Sequence, residues 1–172
     1  MTTGGRAARQ LETIGWLHSL FGEHHVDYWL FGGWAVDFHA GRVTRYHEDV
    51  DVAVWRADLD RIRILLEVQG WFEVTEHEGD GYLAYERRGV RLELALLVRD
   101  EGGIPYTPLG QGRGDWPPGS FGDTLAELDG VQARVVGLAS LIVDKAGPRE
   151  DPLALAKDRA DVAVLTSLAP SD

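Results

Sequence analysis

The sequence contains no cysteine. This absence excludes disulfide bonds, thiolate nucleophiles and cysteine-based zinc or iron–sulfur sites, and it is compatible with a reducing compartment. The sequence also lacks a continuous apolar run of the roughly 18 residues that a membrane-spanning helix needs. We therefore expect no contact with a membrane and a cytoplasmic location.

Basic residues are scarce compared with acidic ones. There are 17 Lys and Arg against 28 Asp and Glu, which gives a formal net charge of -11. A negative field repels phosphate backbones and attracts small cations, so we expect a cationic small-molecule substrate and no nucleic-acid partner. Asp100, Glu101 and Asp115 favour an amine-bearing substrate in the same way, although solubility of the surface explains these charges equally well.

The apolar and charged fractions, 44% and 26%, are those of an ordinary globular protein. We expect residues 1–172 to form one domain, with a catalytic α/β core over 1–136 and a helical part over 137–172. Apolar periodicity predicts helices over 7–25, 34–40, 58–69, 138–145 and 152–168, and strands over 28–31, 49–54, 72–76, 82–86, 90–98 and 131–136. The predicted fold class is α+β, a mixed sheet of about five strands flanked by helices, with further helices at the C-terminus.

Glycine and proline recur between Asp100 and Gly122, where no regular structure is expected. A loop of this length in a compact domain is often functional. Trp116 lies inside it and is predicted to stack on a ligand.

Asp49 and Asp51 are two residues apart on a predicted strand, so both side chains project from the same face. Two adjacent carboxylates repel each other unless a cation lies between them, and oxygen ligands favour a hard ion such as Mg²⁺. The alternative for such a pair is an exposed acidic edge. A third acid, Glu93, lies on another predicted strand, on the face opposite its leucine neighbours. If the two strands are adjacent, three carboxylates converge, unless Glu93 only pairs with Arg91.

Several residues upstream of the aspartates suit a phosphate group. Gly32 and Gly33 precede a predicted helix, where free backbone amides bind anions. Thr44, Arg45 and His47 add a hydroxyl and two possible cations. Each of the latter three is otherwise an ordinary loop residue, with Arg45 paired to Asp37.

Three short segments resemble the signature of a known group of enzymes. They are Gly32-Gly33-Trp34-Ala35-Val36-Asp37, Gly41-Arg42-Val43-Thr44-Arg45 and His47-Glu48-Asp49-Val50-Asp51. Together they resemble the aminoglycoside 2''-nucleotidyltransferase and lincosamide nucleotidyltransferase group of the polymerase-beta-like nucleotidyltransferase superfamily. The strand order and Glu93 extend a looser resemblance over about the first hundred residues.

The resemblance implies a polymerase-beta-like fold, Mg²⁺, and a nucleoside triphosphate as co-substrate. It implies transfer of AMP from ATP to a hydroxyl of a sugar-bearing antibiotic, with release of pyrophosphate. Asp49 and Asp51 match the metal-binding pair. Glu93 falls where the family commonly has Asp, and it is expected to act as general base, metal ligand or both. Lys145 loosely matches a lysine placed against the triphosphate, and a solvated lysine at a helix end is the alternative.

The last predicted helix carries a Lys-Asp-x-x-Asp pattern that resembles one in related enzymes. On a helix, Lys157 and Asp161 are four residues apart and are interpreted as partners on a charged surface. We therefore do not include this pattern, which also contains Asp158, in the catalytic set.

Two other functions remain open at this point. A nucleotidyltransferase toxin would modify a protein or transfer RNA, and for RNA we expect a basic stripe that the scattered arginines do not form. A non-catalytic module would bind nucleotide without turnover, and the complete set of Asp49, Asp51 and Glu93 argues against it.

Overall fold

The computed structural model describes residues 3–74 and 81–169. The helices are α1 (Thr3–Glu23), α2 (Gly32–Ala40), α3 (Leu59–Val68), α4 (Leu138–Lys145) and α5 (Pro152–Leu168), with one 3₁₀ turn at Arg56–Asp58. The strands are β1 (Tyr28–Phe31), β2 (Val50–Trp55), β3 (Phe72–Glu73), β4 (Tyr82–Arg87), β5 (Val90–Arg99), β6 (Pro105–Leu109), β7 (Gly112–Asp115), β8 (Leu125–Leu128) and β9 (Val131–Arg134).

A mixed sheet forms the centre of the molecule, as predicted. Its main path holds five strands in the order β1-β2-β5-β4-β3, and the β6–β7 hairpin extends from the end of β5. Only β2 and β5 are parallel among the described strand pairs of this sheet, and the other pairs are antiparallel. With five helices around it, the fold class is α+β.

The register between β2 and β5 fixes the position of the acidic residues. Asp51 lies directly opposite Glu93, and Val52 lies opposite Leu94. Because side chains alternate along a strand, Val52 and Leu94 enter the core while Asp51 and Glu93 project together from the other face. The two acidic strands are adjacent, which is the condition under which the three carboxylates were expected to converge.

Two apolar clusters cover the two faces of the sheet. On one face, Leu17 of α1 packs with Val52 and Leu94. On the other face, Ala53 packs in a cluster with Leu165 of α5. Within residues 3–74 and 81–169, no helix combines the length and the apolar character that crossing a membrane requires.

The prediction of a long irregular loop from Asp100 to Gly122 is wrong. β6 and β7 form a hairpin there, and β6 continues the sheet by pairing with the end of β5. Two of the glycines, Gly103 and Gly110, lie at the turns and adopt φ values of 79° and 53°. Pro105 is the first residue of β6, a position that proline tolerates.

The predicted strand over 131–136 is shorter and pairs differently than expected. β9 ends at Arg134 and forms a separate two-stranded sheet with β8, a strand that the sequence analysis missed. The signal was present in Asp129-Gly130, because both residues have positive φ, 49° and 78°, as a two-residue hairpin turn requires. Of the strand predicted over 72–76, residues 75 and 76 lie outside the described residues.

Candidate active site

Three carboxylates converge on one face of the sheet. Oxygen atoms of Asp49, Asp51 and Glu93 all lie within 4.8 Å of one another, and all three residues are partly buried. Arg91 Nε also donates a 2.9 Å hydrogen bond to Glu93 Oε1. The alternative role of Glu93, an ion pair with Arg91, is therefore present. Glu93 nevertheless lies in the acidic cluster with Asp49 and Asp51.

The electrostatics of the cluster are unfavourable without a cation. Burial raises the pKa of Asp51 well above its usual range, and the charges of Asp49 and Glu93 raise it further, against Lys145 and Arg45. Burial, followed by the charge of Glu93, also raises the pKa of Asp49. Such a cluster differs from a solvated acidic edge. Three carboxylates with oxygen donors only are a ligand set that suits Mg²⁺.

Gly32 and Gly33 lie against the functional side chains. They form the first turn of α2, whereas the sequence placed them before a helix starting at residue 34. Gly32 has a φ of 65°, and a Cβ atom there would overlap the Asp51 carboxylate. A Cβ at Gly33 would lie 2.5 Å from Arg45 Nη2 and from His47 Nδ1. Only glycine allows the acidic and basic groups to approach this helix end.

Replacing Gly32 with alanine is expected to displace Asp51 and to abolish most nucleotidyl transfer. Gly41 offers a matched control, since its φ is 66° and nothing lies within 4 Å of an added Cβ. Both substitutions should cost about 1 kcal/mol in backbone strain. Only Gly32→Ala should also lose activity, as measured by transfer assays on both variants alongside urea unfolding. Equal activity of the two variants would contradict the proposed contact.

A hydrogen-bonded chain fixes the loop between α2 and β2. Asp37 is fully buried; its Oδ1 accepts from the Thr44 amide at 3.0 Å and from the Thr44 hydroxyl, and its Oδ2 contacts His47 Nε2 at 2.5 Å. Arg45 does not pair with Asp37. Its Nε and Nη2 donate to the two carboxylate oxygens of Asp161, each at 3.0 Å. The hydroxyl of Thr44 is thus directed at Asp37.

The sequence analysis missed the role of α5 in this region. Asp161 and Asp158 are buried, not solvated. Lys145 Nζ lies 2.9 Å from Asp158 Oδ1 and 3.1 Å from Asp161 Oδ2, and Arg149 Nε donates to Asp158 Oδ2 at 2.6 Å. The predicted partner of Asp161, Lys157, instead contacts Glu48 at 3.3 Å. The two carboxylates, three residues apart on one helix, hold three cations.

These groups surround a cleft of about 240 Å³. Its walls contain seven of the residues predicted for the site, namely Gly32, Gly33, Arg45, His47, Asp49, Asp51 and Lys145. Glu93 borders the cleft through Asp51, its neighbour on the sheet. Thr44 lies on the wall of a separate cavity. Arg149 and Lys157 line the cleft without having been predicted. The Lys-Asp-x-x-Asp pattern was the signal for Lys157, whereas no sequence pattern pointed to Arg149.

Two of the acids and the tryptophan of the segment from Asp100 to Gly122, which the sequence analysis related to a ligand, have partners within the protein. Asp100 and Asp115 both pair with Arg113, at 3.2 and 2.6 Å, which supports a structural role for these acids. Trp116 packs edge to face on Phe31 and donates to Thr107 Oγ1 at 3.0 Å. Its packing explains this tryptophan without a ligand.

Asp161→Asn is expected to destabilise the protein by about 3 kcal/mol, because it leaves the partly buried Arg45 without its carboxylate and removes one of the two carboxylates beside the buried Lys145. Burial alone would raise the pKa of Asp161, but the hydrogen bond from Arg45 and the charges of Lys145 and Arg45 outweigh it and lower the pKa. The stabilisation is therefore complete above the ordinary pKa of an aspartate and is lost as the pH falls through the lowered value.

Urea unfolding of wild type and of Asp161→Asn over a pH series measures how much Asp161 contributes to the free energy of unfolding. The gap in unfolding free energy should be largest near neutral pH and should shrink in acid. Asp115→Asn is the control, because Asp115 is 71% exposed and its ion pair should contribute little. A gap that is small at neutral pH, or that grows in acid, would show that Asp161 does not hold these cations.

The fold, with its acidic cluster on adjacent parallel strands, defines the class: the polymerase-beta-like nucleotidyltransferase fold. Two solved structures share it. A lincosamide antibiotic adenylyltransferase, LnuA, with lincomycin bound has a TM-score of 0.70 at 18% identity over 90% of this chain and 94% of that one. ANT(2'')-Ia in complex with adenylyl-2''-tobramycin has a TM-score of 0.65 at 18% identity over 93% and 97%.

The family follows from sequence comparison. The model of the aminoglycoside-2''-adenylyltransferase family matches residues 15–144. A 2''-aminoglycoside nucleotidyltransferase of Klebsiella pneumoniae is 37% identical over 62 residues, 36% of this chain and 34% of that relative. The aligned segment thus spans about a third of the curated relative. The chain belongs to the aminoglycoside-2''-adenylyltransferase family.

Proposed function

We propose that this protein transfers AMP from ATP to a hydroxyl group of an aminoglycoside or lincosamide antibiotic, with release of pyrophosphate. The observation that carries the proposal is the convergence of Asp49, Asp51 and Glu93 beside a cleft lined by glycines and cations. Family membership and the fold support the same chemistry. Inactivation of the antibiotic gives the biological role, resistance.

Asp49, Asp51 and Glu93 are the residues that would hold Mg²⁺. When bound, Mg²⁺ supplies positive charge against the phosphate oxygens and the attacking oxygen. The partial burial and mutual repulsion of the three carboxylates support this assignment, because they are relieved by a divalent cation.

The glycine turn and the cations that line the same cleft would bind the triphosphate. The first turn of α2 presents backbone amides that have no partner within the helix, and its two glycines leave the approach open. Arg45, Lys145 and Arg149 supply three positive charges on the same cleft. Asp158 and Asp161 fix these side chains before the nucleotide arrives, so less conformational entropy is lost on binding.

The transfer step needs alignment and one proton acceptor. The acceptor hydroxyl oxygen forms a bond to the α-phosphorus, the bond from that phosphorus to the bridging oxygen breaks, and pyrophosphate leaves with the electron pair. The hydroxyl proton passes to a carboxylate oxygen of Glu93. The remaining task of the protein is to hold the two oxygens in line and to stabilise charge on the phosphate.

The acceptor class rests on three observations. The net charge of -11 attracts a cationic amine-bearing molecule. The family is named for 2''-adenylylation of aminoglycosides. The two structural neighbours carry lincomycin and adenylyl-2''-tobramycin respectively.

Incubation with α-labelled nucleotides and separate acceptors tests the proposal. The acceptors are tobramycin, a second aminoglycoside, lincomycin, transfer RNA and a cell lysate, each with Mg²⁺ or with EDTA. We expect label from ATP on an antibiotic, in Mg²⁺ only. Label on RNA or on a lysate protein would replace the proposed acceptor, and nucleotide binding without any transfer would reject the enzyme in favour of a binding module.

A further inference from the structure

A separate cavity of about 370 Å³ lies away from the acidic cleft. We call it the arginine cavity; the residues that matter on its wall are Arg9, Trp16, Gln69, Trp71, Arg87 and Arg88. Val90 also lines it, on the face of β5 that carries Leu92 and Leu94 and opposite to that of Glu93. The sheet therefore separates the arginine cavity from the proposed catalytic carboxylates.

The charge of the arginine cavity is opposite to that of the whole protein. Its wall carries three arginines and one acid, Glu12, in a chain with a net charge of -11. Among residues 3–74 and 81–169, no carboxylate forms an ion pair with Arg87 or Arg88. Two guanidinium groups thus lie beside one cavity without an ion pair to any acid in the part of the chain that the structure describes. This arrangement favours an anionic ligand.

Two tryptophan rings form another part of the cavity wall. Trp16 and Trp71 stack with ring centroids 5.9 Å apart and planes at 17°, and the Arg87 guanidinium lies over the Trp16 ring at 5.9 Å. A guanidinium held on a ring face keeps its N–H donors in its own plane, where they suit a phosphate group. Trp71 is 3% exposed and backs the partly exposed Trp16, whose indole suits a planar apolar body.

The backbone at Arg88 provides an independent observation. Arg88 and Gly89 form the two-residue turn between β4 and β5, with φ values of 50° and 75°. This turn type prefers Asn or Asp before glycine, and an arginine at positive φ has a strained backbone conformation. The turn thus places an exposed guanidinium on the wall of the cavity, at a position that its backbone conformation does not favour.

We propose that the arginine cavity is a second ligand site, for a small phosphate monoester with a planar apolar body, such as a nucleoside monophosphate. The volume lies in the range of small-molecule sites. A polyanion such as RNA is disfavoured, because the rest of the protein would repel it. The phosphate binds Arg87 and Arg88, and the planar body lies against Trp16.

Isothermal titration calorimetry on the Asp49→Asn/Asp51→Asn double variant in EDTA tests this site apart from nucleotidyl transfer. The probes are AMP, inorganic phosphate and adenosine. We expect saturable binding of AMP, weaker binding of phosphate and none of adenosine. Arg87→Ala and Arg88→Asn should each weaken AMP binding at least about tenfold, since each removes a charged hydrogen bond. Arg56→Ala removes an exposed arginine that does not line the cavity and should change nothing.

Arg88→Asn also distinguishes a binding role from a structural one. Asn-Gly suits this turn better than Arg-Gly, so the variant should unfold at a higher temperature while it loses AMP affinity. Transfer to the antibiotic, measured in the otherwise wild-type protein, should be unchanged. No saturable AMP binding, or AMP affinity unchanged by both arginine substitutions, would overturn the proposal and leave the proposed transferase activity untouched.

Discussion

Asp51→Asn is expected to reduce nucleotidyl transfer by about 10³-fold or more, which corresponds to roughly 4 kcal/mol of lost transition-state stabilisation. Asp51 is central to the acidic cluster, because it lies opposite Glu93 on the neighbouring strand and against the first turn of α2. An amide keeps the shape of the side chain but removes the charge that would bind Mg²⁺. The loss should appear in kcat measured with saturating Mg²⁺ and ATP.

The same substitution should make the metal-free protein more stable. The Asp51 carboxylate lies beside the carboxylates of Asp49 and Glu93, and without a metal these negative charges repel each other. A neutral asparagine at this position removes part of that repulsion. Thermal unfolding in EDTA should therefore give a higher midpoint for Asp51→Asn than for wild type, and Mg²⁺ with nucleotide should raise only the wild-type midpoint. Asp60→Asn, at an exposed position on α3, is the control for both measurements. A variant that loses activity and also unfolds in EDTA below wild type would indicate a structural role for Asp51.

Glu93→Gln is expected to lower kcat by about 10² to 10⁴-fold, the range for loss of a general base. The substitution preserves the size of the side chain and removes both its proton affinity and its charge. KM for ATP should change less, because the triphosphate is assigned to the α2 glycines and to Arg45, Lys145 and Arg149, and not to Glu93. Initial rates at varied ATP and acceptor concentrations give both constants.

Arg91→Ala separates the two interpretations of Glu93. If the 2.9 Å pair with Arg91 is the only purpose of Glu93, both substitutions should have similar effects on activity. We expect Arg91→Ala to retain transfer within about tenfold, because it leaves the three carboxylates in place. Glu93→Asp keeps a carboxylate and should keep more activity than Glu93→Gln. Equal rates for the Gln and Ala variants would remove Glu93 from the catalytic set.

The acidic cluster could be predicted because it depends on strand alternation. Val50, Val52 and Val54 define the inner face of β2, and the same pattern of leucines on β5 defines the outer position of Glu93. Successive side chains of a strand point to opposite faces of the sheet whatever packs against it, so this pattern can be recognised in the sequence alone. The adjacency of the two strands was conditional in the sequence and is settled by their parallel register.

The α5 carboxylates could not be predicted because their burial depends on tertiary packing. Asp158 and Asp161 have the local pattern of a solvated face, and only the approach of α4 and of the α2–β2 loop buries them beside Lys145 and Arg45. The β6–β7 hairpin was missed for another reason. Its glycines and prolines were counted as breaks in structure, although two of those glycines lie in the turns that connect strands.

Acceptor-dependent release of pyrophosphate tests the central claim most directly. Wild type and Asp51→Asn are compared with ATP and tobramycin or lincomycin, in Mg²⁺ and in EDTA, at equal protein concentration. The proposed site predicts release by the wild type only when Mg²⁺, ATP and an antibiotic are all present, and none above background by Asp51→Asn. Undiminished release by Asp51→Asn, or release by the wild type in EDTA, would contradict the assignment of Asp49, Asp51 and Glu93 as a metal-dependent nucleotidyltransferase centre.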